Sequence, residues 1–284
     1  MSDLMKGKRG LVMGVANHNS IAWGAAKALA DQGAEIALTY QGEAFGKRVR
    51  PLADKIGSTL VLPCDVEDIA TVDKVFDDLR EAWGGIDFIV HAIAFSDRNE
   101  LKGLYAETSR ENFTRTMVIS CFSFTEIAKR AAALMNNGGS MITMTYGGST
   151  RVMPNYNVMG VAKAALEASV RYLASDYGPR NIRVNAISAG PVRTLAGAGV
   201  SDARLMFNYQ RRNSPLRSNT TIDQVGGAAL YLSSQLSEGV TGEIHYVDAG
   251  YNIMSMPDLE ELKKQERGAE LVEHVDEGGA PEEL

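Results

Sequence analysis

Tyr156 and Lys163 stand seven residues apart in the stretch PNYNVMGVAKAALEASVRYLASDYG, which reads as a helix. Seven steps of about 100° fall about 20° short of two full turns, so both side chains share one helix face, roughly 10 Å apart along the axis. An ammonium near a phenol favours the phenolate and lowers its pKa. Such a pair can offer a proton, or a strong hydrogen bond, to an oxygen that turns negative during a reaction. Met159 falls close to the same face. Gly160 sits in mid-helix, where glycine costs about 1 kcal/mol against alanine, so something is expected to come close there. The same spacing also arises by chance, as a surface phenol and a surface amine. The elements around the pair must decide between the two.

Short β-rich runs alternate with helix-period runs along most of the chain. RGLVMG (9–14), AEIALTY (34–40), STLVLPCDV (58–66), IDFIVHAIA (86–94), GSMITMTY (139–146), IRVNAIS (182–188) and IHYVDAG (244–250) read as strands. Several are continuously apolar, as strands covered by helices on both faces are. Amphipathic stretches at 20–32, 43–56, 68–83, 108–135, 155–177 and 222–235 fill the gaps. The alternation predicts a doubly wound α/β sheet of about seven parallel strands in one domain, with no linker before residue 255.

The loops that follow the strands are where a nucleotide would bind. The first strand runs into GVANHNSIAWG, with Gly14 at the turn and Ser20 at the helix start. A dinucleotide pyrophosphate is favoured at such a place by backbone N–H groups and the helix dipole. The stretch does not fit the usual G-x-G-x-x-G pattern, and an ordinary glycine turn with a serine N-cap would read alike. The second strand ends at Gln41, where an NAD enzyme often carries an acid, with Glu43, Lys47 and Arg48 just beyond. Gln41 neither repels nor attracts a 2′-phosphate; Glu43 favours NADH, and the two basic residues oppose it only if they reach. Asp65 after the third strand either meets an adenine amine or simply ends the strand. Ala92 and Ala94 after the fourth either admit a flat ring or pack against a helix.

Composition narrows the classes. The 284 residues are 45% hydrophobic and 23% charged, ordinary for a globular protein. No uncharged apolar run approaches the roughly 18 residues of a membrane span, and the N-terminus has no signal-peptide pattern. Cys64 and Cys121 have no metal or redox spacing, and with His18, His91, His245 and His274 scattered, no metal site is expected. Free buried thiols suit a reducing cytoplasm. From Asp258 onward ten acidic and three basic residues give a local charge of −7, which leaves the preceding 257 residues at +1. The body therefore has no basic stripe for nucleic acid. Residues 257–284 read as an acidic tail, a helical turn or two fading into disorder.

Taken together, GVANHNSIA (14–22), YNVMGVAK (156–163) and SAGPVRT (188–194) resemble the divergent short-chain dehydrogenase/reductases. More narrowly, they resemble the bacterial enoyl-acyl-carrier-protein reductases of type II fatty acid synthesis. The resemblance runs from about Lys6 to Met256, and PNYNVMGVAKAALEASVRY with NIRVNAISAGPVRTLA carries it most specifically. The common branch of the superfamily spaces Tyr and Lys four apart; position 160 is Gly here, and the seven-residue spacing fits the enoyl reductases.

The resemblance implies a Rossmann-type domain over 1–256 that uses NADH to reduce trans-2-enoyl thioesters on acyl carrier protein, the last reductive step of the elongation cycle. It implies that Tyr156 stabilises the enolate, that Lys163 holds the nicotinamide ribose, and that Tyr146 stands beside the substrate. Gly14, Ser20, Ile21, Gln41, Asp65, Val66 and Ile93 would line the NAD site, and Val192 and Thr194 would hold its carboxamide and phosphate side. Residues from about 195 to 211 would form a mobile lid, and the chain would assemble as a cytoplasmic homotetramer. The apolar AALYLSS helix and the seventh strand could bury a symmetric face. Two rivals remain at this point: a reductase of the same fold acting on a carbonyl or a different enoyl thioester, and a non-catalytic dinucleotide-binding protein. A carbonyl reductase would want serine near position 143, which is Thr143 here; a non-catalytic protein tends to lose the Tyr or the Lys.

Overall fold

The computed structural model describes residues 3–194, 203–260 and 262–264. All seven expected strands form: β1 (Arg9–Met13), β2 (Glu35–Tyr40), β3 (Leu60–Pro63), β4 (Phe88–His91), β5 (Gly139–Thr145), β6 (Ile182–Ala189) and β7 (Ile244–Val247). They make one sheet in the order β3-β2-β1-β4-β5-β6-β7, with every pair parallel. Between them run α1 (Ile21–Ala30), α2 (Gly42–Lys55), α3 (Ile69–Trp83), α4 (Arg110–Met117), α5 (Ser123–Leu134), α6 (Asn157–Tyr177), α7 (Ala203–Asn213) and α8 (Ile222–Ser233).

The continuous apolar strands are explained by the layers they feed. Successive side chains point to opposite faces of a sheet. On one face Leu11, Met13, Ile89, Met141 and Val184 pack under α3, α5 and α6, against Phe76, Phe124, Leu166 and Val170. On the other, Val12, Leu38, Phe88, Val90 and Ile142 pack under α1, α2 and α8, against Leu29, Val49, Val225 and Leu232. Glycine lets α1 and α8 touch backbone to backbone: a Cβ on Gly24 would lie 2.3 Å from the Ile222 carbonyl oxygen, and one on Gly226 would lie 2.5 Å from that of Gly24. The apolar side of α8 is thereby buried within its own chain.

Two elements depart from the sequence reading. The expected helix over 108–135 is broken by a wide π turn at Val118–Phe122. That turn places the Ser120 hydroxyl to accept from the Phe95 N–H at 2.9 Å and donate to the Phe95 carbonyl at 3.0 Å, which pins the loop after β4. Residues 203–211 of the expected lid belong to helix α7; 195–202 lie outside the described residues, as does the tail beyond 264. Among the described residues, no helix is long and apolar enough to cross a membrane.

Candidate active site

Parallel strands all end on the same side. The chain leaves β1 toward β2 and β3, then returns to build β4 on the other flank, so the carboxyl ends of β1 and β4 face a crevice between diverging loops. Gly14 stands there with φ +98°, and a Cβ on it would lie 2.1 Å from the Ala92 carbonyl oxygen. Only glycine combines that dihedral with that approach.

Ser20 occupies the N-cap of α1 without bonding the helix's own amides. Its hydroxyl oxygen accepts instead from the N–H groups of Ala16 and Asn17, at 3.0 and 3.1 Å. The helix-capping alternative is thus corrected: Ser20 shapes the glycine loop and leaves the first amides of α1 uncapped by it. Next along the rim, Gln41 Nε2 donates to Asp65 Oδ2 at 3.0 Å, so the ends of β2 and β3 are joined by two expected site residues. Asp65 Oδ1 also accepts from the Glu67 N–H. Val66 and half-buried Ile93 share the core under α3 and α5. Ile21 and Val192 share the opposite core. Thr194 follows Val192 in a tight turn, its N–H donating to the Val192 carbonyl at 2.8 Å. The expected nucleotide-lining residues therefore draw on both faces of the sheet at its carboxyl end. Lys47 and Arg48 are exposed on α2, and Glu43 is paired with Arg50.

At the end of β5 and one residue beyond it, three consecutive residues hold two side chains of α6 and the tyrosine at its N-cap. The Lys163 ammonium donates to the Met144 carbonyl oxygen at 2.8 Å. The Thr145 hydroxyl donates to Glu167 Oε1 at 2.7 Å. The Tyr146 ring meets the Tyr156 ring edge-on, with centroids 5.2 Å apart. Tyr156 itself is the residue before the first turn of α6, and its carbonyl accepts from Met159 and Gly160 N–H groups. The mid-helix glycine is explained by a close backbone: a Cβ on Gly160 would lie 2.8 Å from the Gly148 carbonyl oxygen. A side chain of any size, lysine included, would collide there.

Burial sets the protonation of the trio, and it works against the lowered Tyr156 pKa expected from spacing. Lys163 is 5% exposed, not a surface amine. Burial pushes its pKa down to about 8, against the upward pull of Cys121 and Glu167. Burial, followed by the charges of Tyr146 and Glu167, pushes Tyr156 above its ordinary range. Burial, then Tyr251 and Asp248, pushes Tyr146 up to about 12. Both tyrosines are hydroxyl donors at neutral pH.

Beside Tyr146 lies a cavity of about 190 Å³, lined also by Ser188, Gln210, Asp248 and Tyr251. Gln210 falls within the expected lid span, whereas Ser188, Asp248 and Tyr251 were not named as site residues by the sequence reading. Asp248 accepts from the N–H groups of Gly250 and Asn252, at 3.0 and 2.7 Å, and so ties the turn after β7. An acid two residues before a glycine, in VDAGYN, is the one signal that would have marked it. Thr143, by contrast, lies wholly within the core, 3.1 Å from His91 Nδ1.

A parallel sheet in the order 3-2-1-4-5-6-7, with a glycine crevice at its switch point and a Tyr/Lys pair beside it, defines a Rossmann-type reductase of the short-chain dehydrogenase kind. The family model described as enoyl-(acyl carrier protein) reductase matches residues 14–252. The chain is 73% identical over 263 residues to the NADH-dependent enoyl-acyl-carrier-protein reductase 2 of Rhizobium meliloti, covering 93% of this chain and 98% of that one. Among solved structures it is similar to FabI from Candidatus Liberibacter asiaticus, at 59% identity and TM-score 0.89 over 91% of this chain and all of that one. It is similar also to the enoyl-acyl-carrier-protein reductase of Anaplasma phagocytophilum in complex with NAD, at 58% identity and TM-score 0.88, over 91% and 99% of the two chains. The chain belongs to the enoyl-acyl-carrier-protein reductase family.

Proposed function

We propose that the protein reduces the carbon–carbon double bond of trans-2-enoyl thioesters borne by acyl carrier protein, with NADH as the reductant. The observation that carries this reading is the fixing of Tyr156 and Lys163 against Tyr146 and Met144, at the end of one strand and just beyond it.

The residues at the crevice fit a dinucleotide. Gly14 leaves no side chain between the ends of β1 and β4. The first amides of α1 favour a pyrophosphate. Among the described residues Lys163 makes one hydrogen bond, to Met144, and an ammonium has three donors. The others suit the hydroxyls of a ribose. Gln41 and Asp65 at the rim suit the adenosine end, and the Asp65 carboxylate repels a 2′-phosphate. Ser20, Ile21, Val66, Ile93, Val192 and Thr194 complete the lining.

When bound, NADH supplies the hydride for the β-carbon of the enoyl thioester. The π pair of the carbon–carbon double bond then joins the α-carbon to the carbonyl carbon, and the carbonyl π pair moves onto its oxygen. Tyr156, held as a phenol by burial, donates its hydroxyl to that oxygen and steadies the enolate charge. A proton taken up at the α-carbon completes the saturated thioester. Tyr146 presents a second phenol edge-on to the first and orients it. Lys163 orients the ribose and places a positive charge under the site. The carbonyl-reductase alternative is disfavoured by Gly160, where a lysine has no room.

Residues 195–211 act as the lid over the acyl chain, and the acidic stretch 257–284 as a solvating tail. The protein works in the cytoplasm as a homotetramer. Exposed Phe113, Phe122, Val161 and Tyr172 on α4, the π turn and α6 supply apolar surface for that assembly. The test of the proposal is NADH oxidation with a short trans-2-enoyl thioester, run beside Tyr156→Phe.

A further inference from the structure

Glu167 is 6% exposed, and a carboxylate is rarely so buried without a partner. It stands four residues after Lys163 on α6, so the two side chains are neighbours on one face. The strand beneath holds both: Met144 takes the ammonium through its carbonyl and Thr145 takes the carboxylate through its hydroxyl. Nothing in the proposed reaction uses Glu167 directly.

The other groups around Lys163 do not carry charge at neutral pH. From β4, His91 is wholly buried between Thr143 and Ser123, and burial and the Lys163 charge drive its pKa down to about 3, so the ring is neutral. From the π turn, Cys121 has its thiol pKa raised by burial and stays protonated. From the N-cap of α6, Tyr156 is a phenol. Of the two groups that pull the Lys163 pKa upward, Cys121 and Glu167, the carboxylate is then the anion at neutral pH. Removing a buried charge's partner leaves that charge uncompensated, and the charged form gives way first.

We infer that Glu167 is a positioning residue for this site: fixed by the Thr145 hydroxyl, its buried carboxylate is the counter-charge that keeps Lys163 an ammonium able to hold the nicotinamide ribose. The inference rests on the proposed role of Lys163. After burial and Tyr146, the same carboxylate also opposes ionisation of Tyr156.

The test is NADH affinity against pH, read by fluorescence titration of the intact protein, which needs no turnover. Wild-type affinity should fall with a midpoint near the Lys163 pKa of about 8. Glu167→Gln keeps volume and an acceptor for Thr145 but removes the charge. It should lower the midpoint by about one pH unit, the low end of what a neighbouring opposite charge contributes, and so weaken binding at pH ~8 about fivefold. Thr145→Val keeps the charge but releases it and should move the midpoint the same way by less. Glu167→Asp should restore part of the shift. A Glu167→Gln curve that overlays a normal wild-type curve overturns this inference alone, whatever its melting temperature does. If Glu167→Gln does not fold, an unmoved midpoint in Thr145→Val overturns it instead. A wild-type curve flat through pH ~8 overturns both this inference and the role of Lys163 beneath it.

Discussion

Lys163 Nζ lies 2.8 Å from the carbonyl oxygen of Met144, two residues before Tyr146. The bond ties the middle of α6 to the carboxyl end of β5. It explains how a buried cation is held at one point beside the crevice. It also means that the pair first noticed as two helix neighbours is really a strand–helix junction.

Tyr156→Phe removes one hydroxyl and keeps the ring against Tyr146. Turnover should fall while NADH affinity stays at the wild-type value, because the lost bond strengthens only as charge develops on the substrate oxygen. Loss of one such donor costs about 2.7–4 kcal/mol elsewhere. With Tyr146 adjacent, a drop of about 100-fold or less in kcat is expected. Steady-state kinetics beside an NADH titration separates the two effects.

Lys163→Met keeps the buried stem and removes the charge. NADH should bind more weakly and turnover should fall with it. The melting temperature should fall as well: the Met144 carbonyl loses its donor, at about 1–3 kcal/mol, and the buried Glu167 carboxylate loses its counter-charge. Equilibrium binding and a melting curve on one preparation check both halves.

The same lysine gives apo-protein stability a pH signature. Its pKa is depressed to about 8 from 10.5, so between those values the unfolded chain binds more protons than the native one. Stability from this group therefore rises as pH increases through that window. Tyr146, raised from 10.0 to about 12, acts oppositely: its native proton is retained where the unfolded phenol ionises, so stability is lost above pH ~10. Denaturant melts across the range should show Lys163→Met removing the first trend and leaving the second.

Much of this arrangement was legible in the sequence, and the gaps have physical causes. The seven strands were visible because a parallel sheet covered on both faces writes continuous apolar runs, as in GSMITMTY. The Tyr156–Lys163 spacing was visible because helix geometry is regular, and the glycine at 160 announced a close neighbour. That the neighbour is the Gly148 carbonyl was not, since sequence carries no backbone distance. Glu167 in ALEASVRY carried no signal of its own, because its burial and its bond to Thr145 depend on a residue distant in sequence. The acidity of Tyr156 was misjudged for a related reason. Spacing suggests proximity to an ammonium, but desolvation outweighs it and depends on everything packed around the ring. Helix α7 was hidden within a stretch whose start is rich in Ala and Gly, the composition of a loop.

Gly160→Ala reverses a common rule. Helix propensity alone predicts a gain of about 1 kcal/mol. Here the added methyl would meet the Gly148 carbonyl oxygen at 2.8 Å and force α6 away from the loop that follows Tyr146. The melting temperature should fall, and turnover with it. A rise in melting temperature with unchanged kinetics would show that the loop yields freely.

The central claim is that this site passes a hydride to an enoyl thioester while Tyr156 steadies the oxygen. The most direct measurement follows loss of NADH absorbance with a trans-2-enoyl thioester of acyl carrier protein, wild type against Tyr156→Phe, with a simple ketone as control. The account predicts rapid oxidation by the wild type, formation of the saturated thioester in equal amount, about a 100-fold slower rate or less in the variant, and none with the ketone. Reduction of the ketone in preference to the thioester, or a Tyr156→Phe variant as fast as the wild type, would contradict it.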